Sequence, residues 1–266
     1  MAILAALNIY PIKGCRGHAS LSAFVERRGL RNDRRMMLVD ADGDFITQRE
    51  YPRLALVAAE LTDTGLNLAA PHMPGVTLAT VGVGSIRPVN VWSSQAVAAI
   101  DQGDQAAGWF STYLQASVRL VFMPENSIRP VNPAYAVRPD DHVSFADGYP
   151  ILIISQESLD DLNARLDTPL PMNRFRPNLV VQGCQPFAED SWKHIRIGKV
   201  EIALVKPCAR CLVTTTDQET AVRAKEPLKT LATFRRRDGN KLMFGMNAIP
   251  LNEGRLQVGA EVEVLD

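Results

Sequence analysis

Short apolar runs separated by turn signals dominate the first hundred positions. ILAALNIY, MMLVDADGDFITQR with Asp42-Gly43 at its turn, LALVAAEL, and GLNLAA after Asp63-Thr64-Gly65 predict successive β-segments. Hairpins repeated at this spacing predict a barrel or sandwich. The period then changes. Ala106, Trp109, Phe110 and Tyr113 recur at steps of three and four, which predicts a helix over Gln105–Leu114 before the strand VRLVFM.

From Met123 to Asp147 the chain carries four prolines and little periodicity, as a long connection or an active-site loop does. The domain boundary is placed there, giving units 1–123 and 124–266. Beyond it, Ser155 is positioned to cap a helix through Leu166, with Leu159, Leu162 and Leu166 on one face. NLVVQG, IRIGKVEIALV and CLVTTT read as strands, Pro227–Arg235 as a second helix, and LMFGMNAI and RLQVGAEVEVLD as closing strands. The expected fold class is mostly β (α+β) with a few helices.

Composition narrows the function. Lys plus Arg number 29 and Asp plus Glu number 29, so no excess charge draws the chain to nucleic acid or an anionic membrane. The first run, MAILAALNIY, lacks a basic lead-in and stops at Pro11, too short for a signal core or a membrane span, so a cytoplasmic protein is expected. Four cysteines are too few for a disulfide framework and are read as reduced. Their spacing is more informative than their number.

Cys208-Ala209-Arg210-Cys211 lies between stretches rich in β-branched residues. A thioredoxin-like pair needs its first cysteine at a helix N-terminus, whereas Leu212–Thr216 reads as strand. A structural zinc site needs four ligands, and Cys15, Cys184 and the four histidines stand apart. A soft metal that takes one protein thiolate and its other ligands from an organic cofactor needs a single placed cysteine. Two buried structural cysteines are the plain competitor.

This segment resembles the molybdenum cofactor sulfurase C-terminal (MOSC) family, and the resemblance covers essentially the whole chain. Tyr10-Pro11-Ile12-Lys13-Gly14, Leu30-Arg31-Asn32-Asp33-Arg34 and Phe45-Ile46-Thr47-Gln48-Arg49 are similar to that family's N-terminal barrel domain. Ala146–Pro150, Arg174–Val181, Ala188–Trp192, Cys208–Thr215, Glu226–Leu231 and Phe244-Gly245 match in order to the C-terminal end. The nearest branch by motif is that of the amidoxime-reducing components and their bacterial counterparts.

The resemblance implies an N-terminal barrel-like domain packed on a C-terminal β-barrel domain, with the cofactor at their junction. It implies a molybdenum–pterin cofactor and a reductase for N-hydroxylated compounds: amidoximes, hydroxamic acids or hydroxylamino bases. By family position Cys211 is the metal ligand and Cys208 a neighbour that is not. Lys13, Arg34 and Arg176 match the basic residues that grip the pterin phosphate, with Asn178 as a polar contact. Gly14 departs from the pattern, because serine commonly follows the lysine in this branch; a backbone amide is left to make that contact. The chain stops at Asp266 after its final strand without an iron–sulfur extension, so electrons are expected from a separate protein: a ferredoxin-type carrier, a flavin reductase or a b-type cytochrome. The alternative reading is a cofactor carrier or sulfur-transfer protein that matures other molybdoenzymes.

Other features receive plain readings. Arg235-Arg236-Arg237 is read as a solvated helix end, with a docking patch as the competitor. Asp160-Asp161 is read as solvated. Trp192, with Glu189-Asp190, is either a packed aromatic beside a turn or part of a substrate funnel.

Overall fold

The alternation of apolar positions in the C-terminal half and in the first strand closes a barrel. In a computed structural model that describes residues 1–266, the strands run Ile151–Ser155, Leu179–Gln182, Ala2–Ile9, Glu261–Val264, His194–Ile197, Val200–Arg210 and Lys241–Pro250, and the last pairs back onto the first. Only Ile151–Ser155 and Leu179–Gln182 run parallel. Ile195 and Ile197, then Val200, Ile202 and Leu204, turn inward at every second position and bury their side chains with Leu4, Leu7 and Val262. The N-terminal strand thus completes the sheet built by the C-terminal half.

His18–Leu30 packs onto the barrel, with Ala23, Val25 and Leu30 in its core, and the chain from Met36 to Phe122 forms a second β-unit. A four-stranded sheet orders Met36–Val39, Arg119–Phe122, Ser94–Asp101 and Ile86–Val91, and a three-stranded one orders Ala58–Thr62, Gly65–Ala69 and Val76–Leu78. The helix Gly103–Leu114 buries Trp109, Phe110 and Tyr113 between these layers. The fold is mostly β, as expected. No helix is long and apolar enough to cross a membrane.

The barrel meets the second unit at Tyr10–Lys13, where Ile12 bridges Met36 and the Lys13 amide donates to the Met36 carbonyl (2.8 Å). This seam carries the turn of the first motif into the space between the units.

Several expectations are corrected. CLVTTT is not a strand: the strand Val200–Arg210 ends before Cys211, and Leu212–Thr215 forms a 3-10 turn. Thr214 Oγ1 donates to the Cys211 carbonyl (2.9 Å) and Thr215 Oγ1 to the Leu212 carbonyl (2.8 Å). These local bonds outcompete a ladder despite the β-branched composition. The arm after Asp42-Gly43 makes isolated bridges, Phe45 to Val39 and Asp44 to Asn90, in place of a strand, and the start of LALVAAEL is a 3-10 turn over Pro52–Leu56. The Ser155-capped helix ends at Asn163, short of Leu166. Ile86–Val91 and Ser94–Asp101 form a hairpin that the pattern did not announce. Arg235 is not solvated: it is buried, with Nη2 2.6 Å from Asp190 Oδ2. Trp192 packs inside the barrel, and Glu189 accepts from the Ser155 and Ser158 hydroxyls, so neither lines a funnel. Asp160 is exposed, as read, while Asp161 pairs with Arg165.

Gly245 shows how tightly the barrel closes. At φ +78°, a Cβ there would lie 2.8 Å from the Ile153 carbonyl oxygen and 2.5 Å from Ile154 Cγ1. Gly198 shares the left-handed conformation at φ +60° but faces open space. Gly198→Ala should therefore cost about 1 kcal/mol, the backbone penalty alone. Gly245→Ala should cost on the order of 2 kcal/mol more, since backbone must move. Urea unfolding of both variants measures the difference, and equal losses would refute this account of the closure.

Candidate functional site

A cleft of about 880 Å³, counting its open mouth, lies at the seam between the two units. Lys13, Gly14, Arg34, Arg176, Asn178 and Cys211 all line it, so every site residue expected from the sequence converges there. Gln48, Arg49, Asp147, Tyr149 and Arg210 line it as well.

The cations are assembled around one aromatic ring. The guanidinium carbons of Arg34 and Arg176 lie 4.1 and 4.3 Å from the Tyr10 ring centroid. Tyr10 is itself fixed, its amide donating to Asp33 Oδ1 (2.9 Å) and its hydroxyl to the Pro177 carbonyl (3.2 Å). Burial pushes its phenol pKa up. Arg34 has a full set of partners: Asp33 through Nη1 at 2.9 and 2.7 Å, Asn178 Oδ1 at 3.1 Å, and the Arg176 carbonyl through Nη2 at 3.1 Å. Arg176 has no carboxylate. Its Nη1 reaches Gln218 Oε1 at 3.4 Å, and its Nη2 is buried without any partner. Burial lowers its pKa to about 10. Both arginines adopt left-handed backbone, φ +48° and +57°, a strain found at ligand-holding positions.

Lys13 is 5% exposed and pairs with Asp147 at 2.5 Å, beneath the Phe45 and Trp92 rings. Desolvation brings its pKa down to about 8, against the pull of Asp147. Loss of solvent would raise the Asp147 carboxyl, but the Lys13 ammonium outweighs it and holds that group below the usual carboxylate range. Arg129 fixes the loop that carries Asp147 by donating to the Ser144 and Ala146 carbonyls at 2.7 and 2.6 Å. Asn178 is engaged on three sides, accepting from Arg34 and the Leu152 amide and donating to the Asn8 carbonyl. It holds Arg34 in place and has little left to offer a ligand. No acceptor in the protein takes the Gly14 N–H.

Cys211 follows the end of its strand and opens the 3-10 turn, which Arg174 pins by donating to the Thr215 carbonyl (3.0 Å). Its half-buried thiol accepts from Arg49 Nη2 at 3.5 Å. Cys208 accepts from Arg210 Nη1 at 3.0 Å. Arg49 stacks on Trp92 at 4.4 Å, and Arg223 clamps its backbone by donating to the Gln48 and Arg49 carbonyls. A reciprocal amide pair, Gln48 with Gln218 at 3.2 and 3.0 Å, ties the Gly14 carbonyl to Arg176 across the seam. Gln48, Arg49 and Asp147 lie in motif blocks that the sequence displays, as polar residues inside turns; Gln218 lies beyond any block.

Such a barrel mouth, with two half-buried thiols and cations left short of counter-ions, has the charge to receive an anionic group. Family models agree: the MOSC N-terminal beta barrel domain matches residues 1–117 and the MOSC domain residues 140–263. Mitochondrial amidoxime-reducing component 1 of Homo sapiens is 34% identical, covering 98% of this chain and 82% of its own. The Mus musculus protein of that name is 36% identical over the same shares, and mitochondrial amidoxime reducing component 2 of Bos taurus is 36% identical over 96% and 81%. The chain belongs to the amidoxime-reducing component family of MOSC proteins.

The unpaired guanidinium has a thermodynamic signature. Arg176→Met removes a buried charge without a partner, so the ligand-free protein should gain stability on the order of 1 kcal/mol while losing affinity for anions. A variant less stable than the parent would show that the charge is already compensated. Lys13 adds a pH signature. Its folded pKa of about 8 lies below the ordinary 10.5, so unfolding takes up a proton in that window. Ligand-free stability therefore rises with pH from about 8 towards 10.5. Anion binding runs the other way. The part of sulfate's thermal protection that Lys13→Met abolishes should fade as pH passes about 8. A pH-independent difference between parent and variant would refute it.

Proposed function

We propose that this protein reduces N-hydroxylated compounds such as amidoximes, hydroxamic acids and hydroxylamino bases, using a molybdenum–pterin cofactor in the cleft and electrons from a separate donor protein. What supports it most is the meeting of the Cys211 thiol with Arg176, whose buried Nη2 has no partner in the chain itself. A pterin phosphate supplies the missing acceptor, and an anionic sulfur suits the Arg49 donor.

In this reading Cys211 is the metal ligand, Lys13, Arg34 and Arg176 hold the phosphate and pterin edge, and the free Gly14 N–H stands where the family commonly has a serine hydroxyl. When bound, the cofactor supplies the two-electron reduction that, with two protons, converts the N-hydroxyl group to an N–H group and water. The chain's own residues supply placement and protons. Lys13 keeps a transferable proton at Nζ near neutral pH, and the Asp147 carboxylate, with Oδ1 2.5 Å away, fixes the ammonium in place. Trp92 Nε1 donates to the same carboxylate (3.3 Å) and orients it. Phe175 and Tyr149 add aromatic surface to the cleft wall.

The two cysteines of the motif separate this reading from its rivals. Cys211→Ala should abolish amidoxime turnover and leave thermal stability close to the parent's. Cys208→Ala removes one acceptor from Arg210 and should cost on the order of 1 kcal/mol while keeping most turnover. Turnover with an added electron-donor system, molybdenum content and Tm are measured on both. Equal losses from both changes would point to a disulfide couple, and full turnover by Cys211→Ala would end the ligand assignment. Delivery of cofactor to an apo-enzyme without any turnover would favour the carrier reading.

A further inference from the structure

Beside the cleft runs a second groove, divided from it by Asp147-Gly148-Tyr149, whose residues line both. Its opposite wall is the hairpin turn at Trp92–Ala96 together with the loop through Ser127 and Asn132. Lys206 lies at one side of it. The Lys206 ammonium sits 4.2 Å from the Tyr135 ring centroid and 5.9 Å from that of Tyr149, two rings set nearly perpendicular at 6.1 Å.

The charges along this groove are unevenly satisfied. Arg129 is buried and spent on the carbonyls of its own loop and on Ser94 Oγ. Asp147 is paired with Lys13 and Trp92 Nε1. Lys206 has neither an ion pair nor a hydrogen bond within the protein, so its three donors remain free while aromatic faces hold the charge in place. It precedes Cys211 by five positions, which at about 3.3 Å per strand residue puts the two Cα atoms within roughly 17 Å of each other. That is the reach of a substrate with two linked rings.

We propose that this groove is a subsite for the far end of the substrate, and that Lys206 selects aromatic N-hydroxylated compounds bearing an anionic oxygen group, a carboxylate or a phosphate. The inference rests on the reading of the cleft as the place of N-hydroxyl reduction. Tyr149 and Trp92 supply faces for the ring, and the ammonium supplies a point charge that accepts either anion.

The test compares benzamidoxime and biphenylamidoxime with their para-carboxylated forms on the full chain, by kcat/KM and by calorimetric Kd. The parent should favour at least one carboxylated form, and Lys206→Met should lower that preference about tenfold, as for loss of one charge-assisted contact. Lys206→Arg should retain it. An unchanged preference in Lys206→Met, or none in the parent, overturns the subsite. Absence of turnover with all substrates, while Kd still discriminates through Lys206, would refute the reductase reading and leave the subsite standing. Para-phosphorylated analogues then decide whether the groove takes both anions or carboxylates alone.

Discussion

The cleft depends on holding two guanidinium groups against one buried phenol ring. Arg34 and Arg176 repel each other, and desolvation disfavours both, yet the Tyr10 ring attracts each from within 4.3 Å. Tyr10 is in turn locked by Asp33 and by the Pro177 carbonyl, and the Arg176 carbonyl accepts from Arg34. Three chain segments distant in sequence therefore close on a single ring: the end of the first strand, the turn before Met36, and the turn before Leu179. The asymmetry is the functional element. Asp33 neutralises Arg34, whereas Arg176 has only a long contact with an amide oxygen.

This arrangement explains how a chain with no net charge presents a cationic site. Its 29 basic residues are matched by 29 acidic ones over the whole molecule, and many surface arginines have carboxylate partners. Within the cleft the balance fails: Lys13, Arg34, Arg49, Arg176 and Arg210 face Asp33 and Asp147. Aromatic faces and backbone carbonyls stand in for the missing carboxylates, which keeps donors directed at the opening. Global composition argues against a polyanion-binding surface and says nothing about a local imbalance of this kind.

Much of the fold was legible because burial imposes period-two alternation on single strands, as in IRIGKVEIALV, and period-three-to-four spacing on the helix that buries Trp109 and Tyr113. What was illegible depends on contacts between distant segments. CLVTTT has strand composition, but its threonine hydroxyls bond three residues back and coil it. Arg235 ends a helix and resembles a solvated cap, but Asp190 lies where only the barrel's closure could bring it. The site was legible through collinear motifs, which display Lys13, Arg34, Arg176 and Cys211 without indicating which has a counter-ion. Asn178 shows the difference: a polar residue in a site motif, whose amide is already committed to Arg34, Leu152 and Asn8. Gln218 carried no signal, since its importance lies in pairing with Gln48 across the seam.

The strand Val200–Arg210 unites these levels. In its regular part Val200, Ile202 and Leu204 point into the barrel, and unbroken alternation would send Lys206, Cys208 and Arg210 the same way. Burying two cations and a thiol in that apolar interior would be far too costly. The pairing with Lys241–Pro250 instead shifts register between Leu204 and Lys206 and again between Pro207 and Ala209. Pro207, which has no amide hydrogen to give a ladder, sits between the two shifts. Each shift bends the strand and re-aims the side chains beyond it, as bulges beside functional sites do. Lys206 thus faces the neighbouring groove while Cys208 and Arg210 face the cleft, and Cys211 is delivered to the turn where Arg49 meets its sulfur. One strand that begins as barrel core ends as the wall of two polar spaces, and the change occurs where its regular pairing fails.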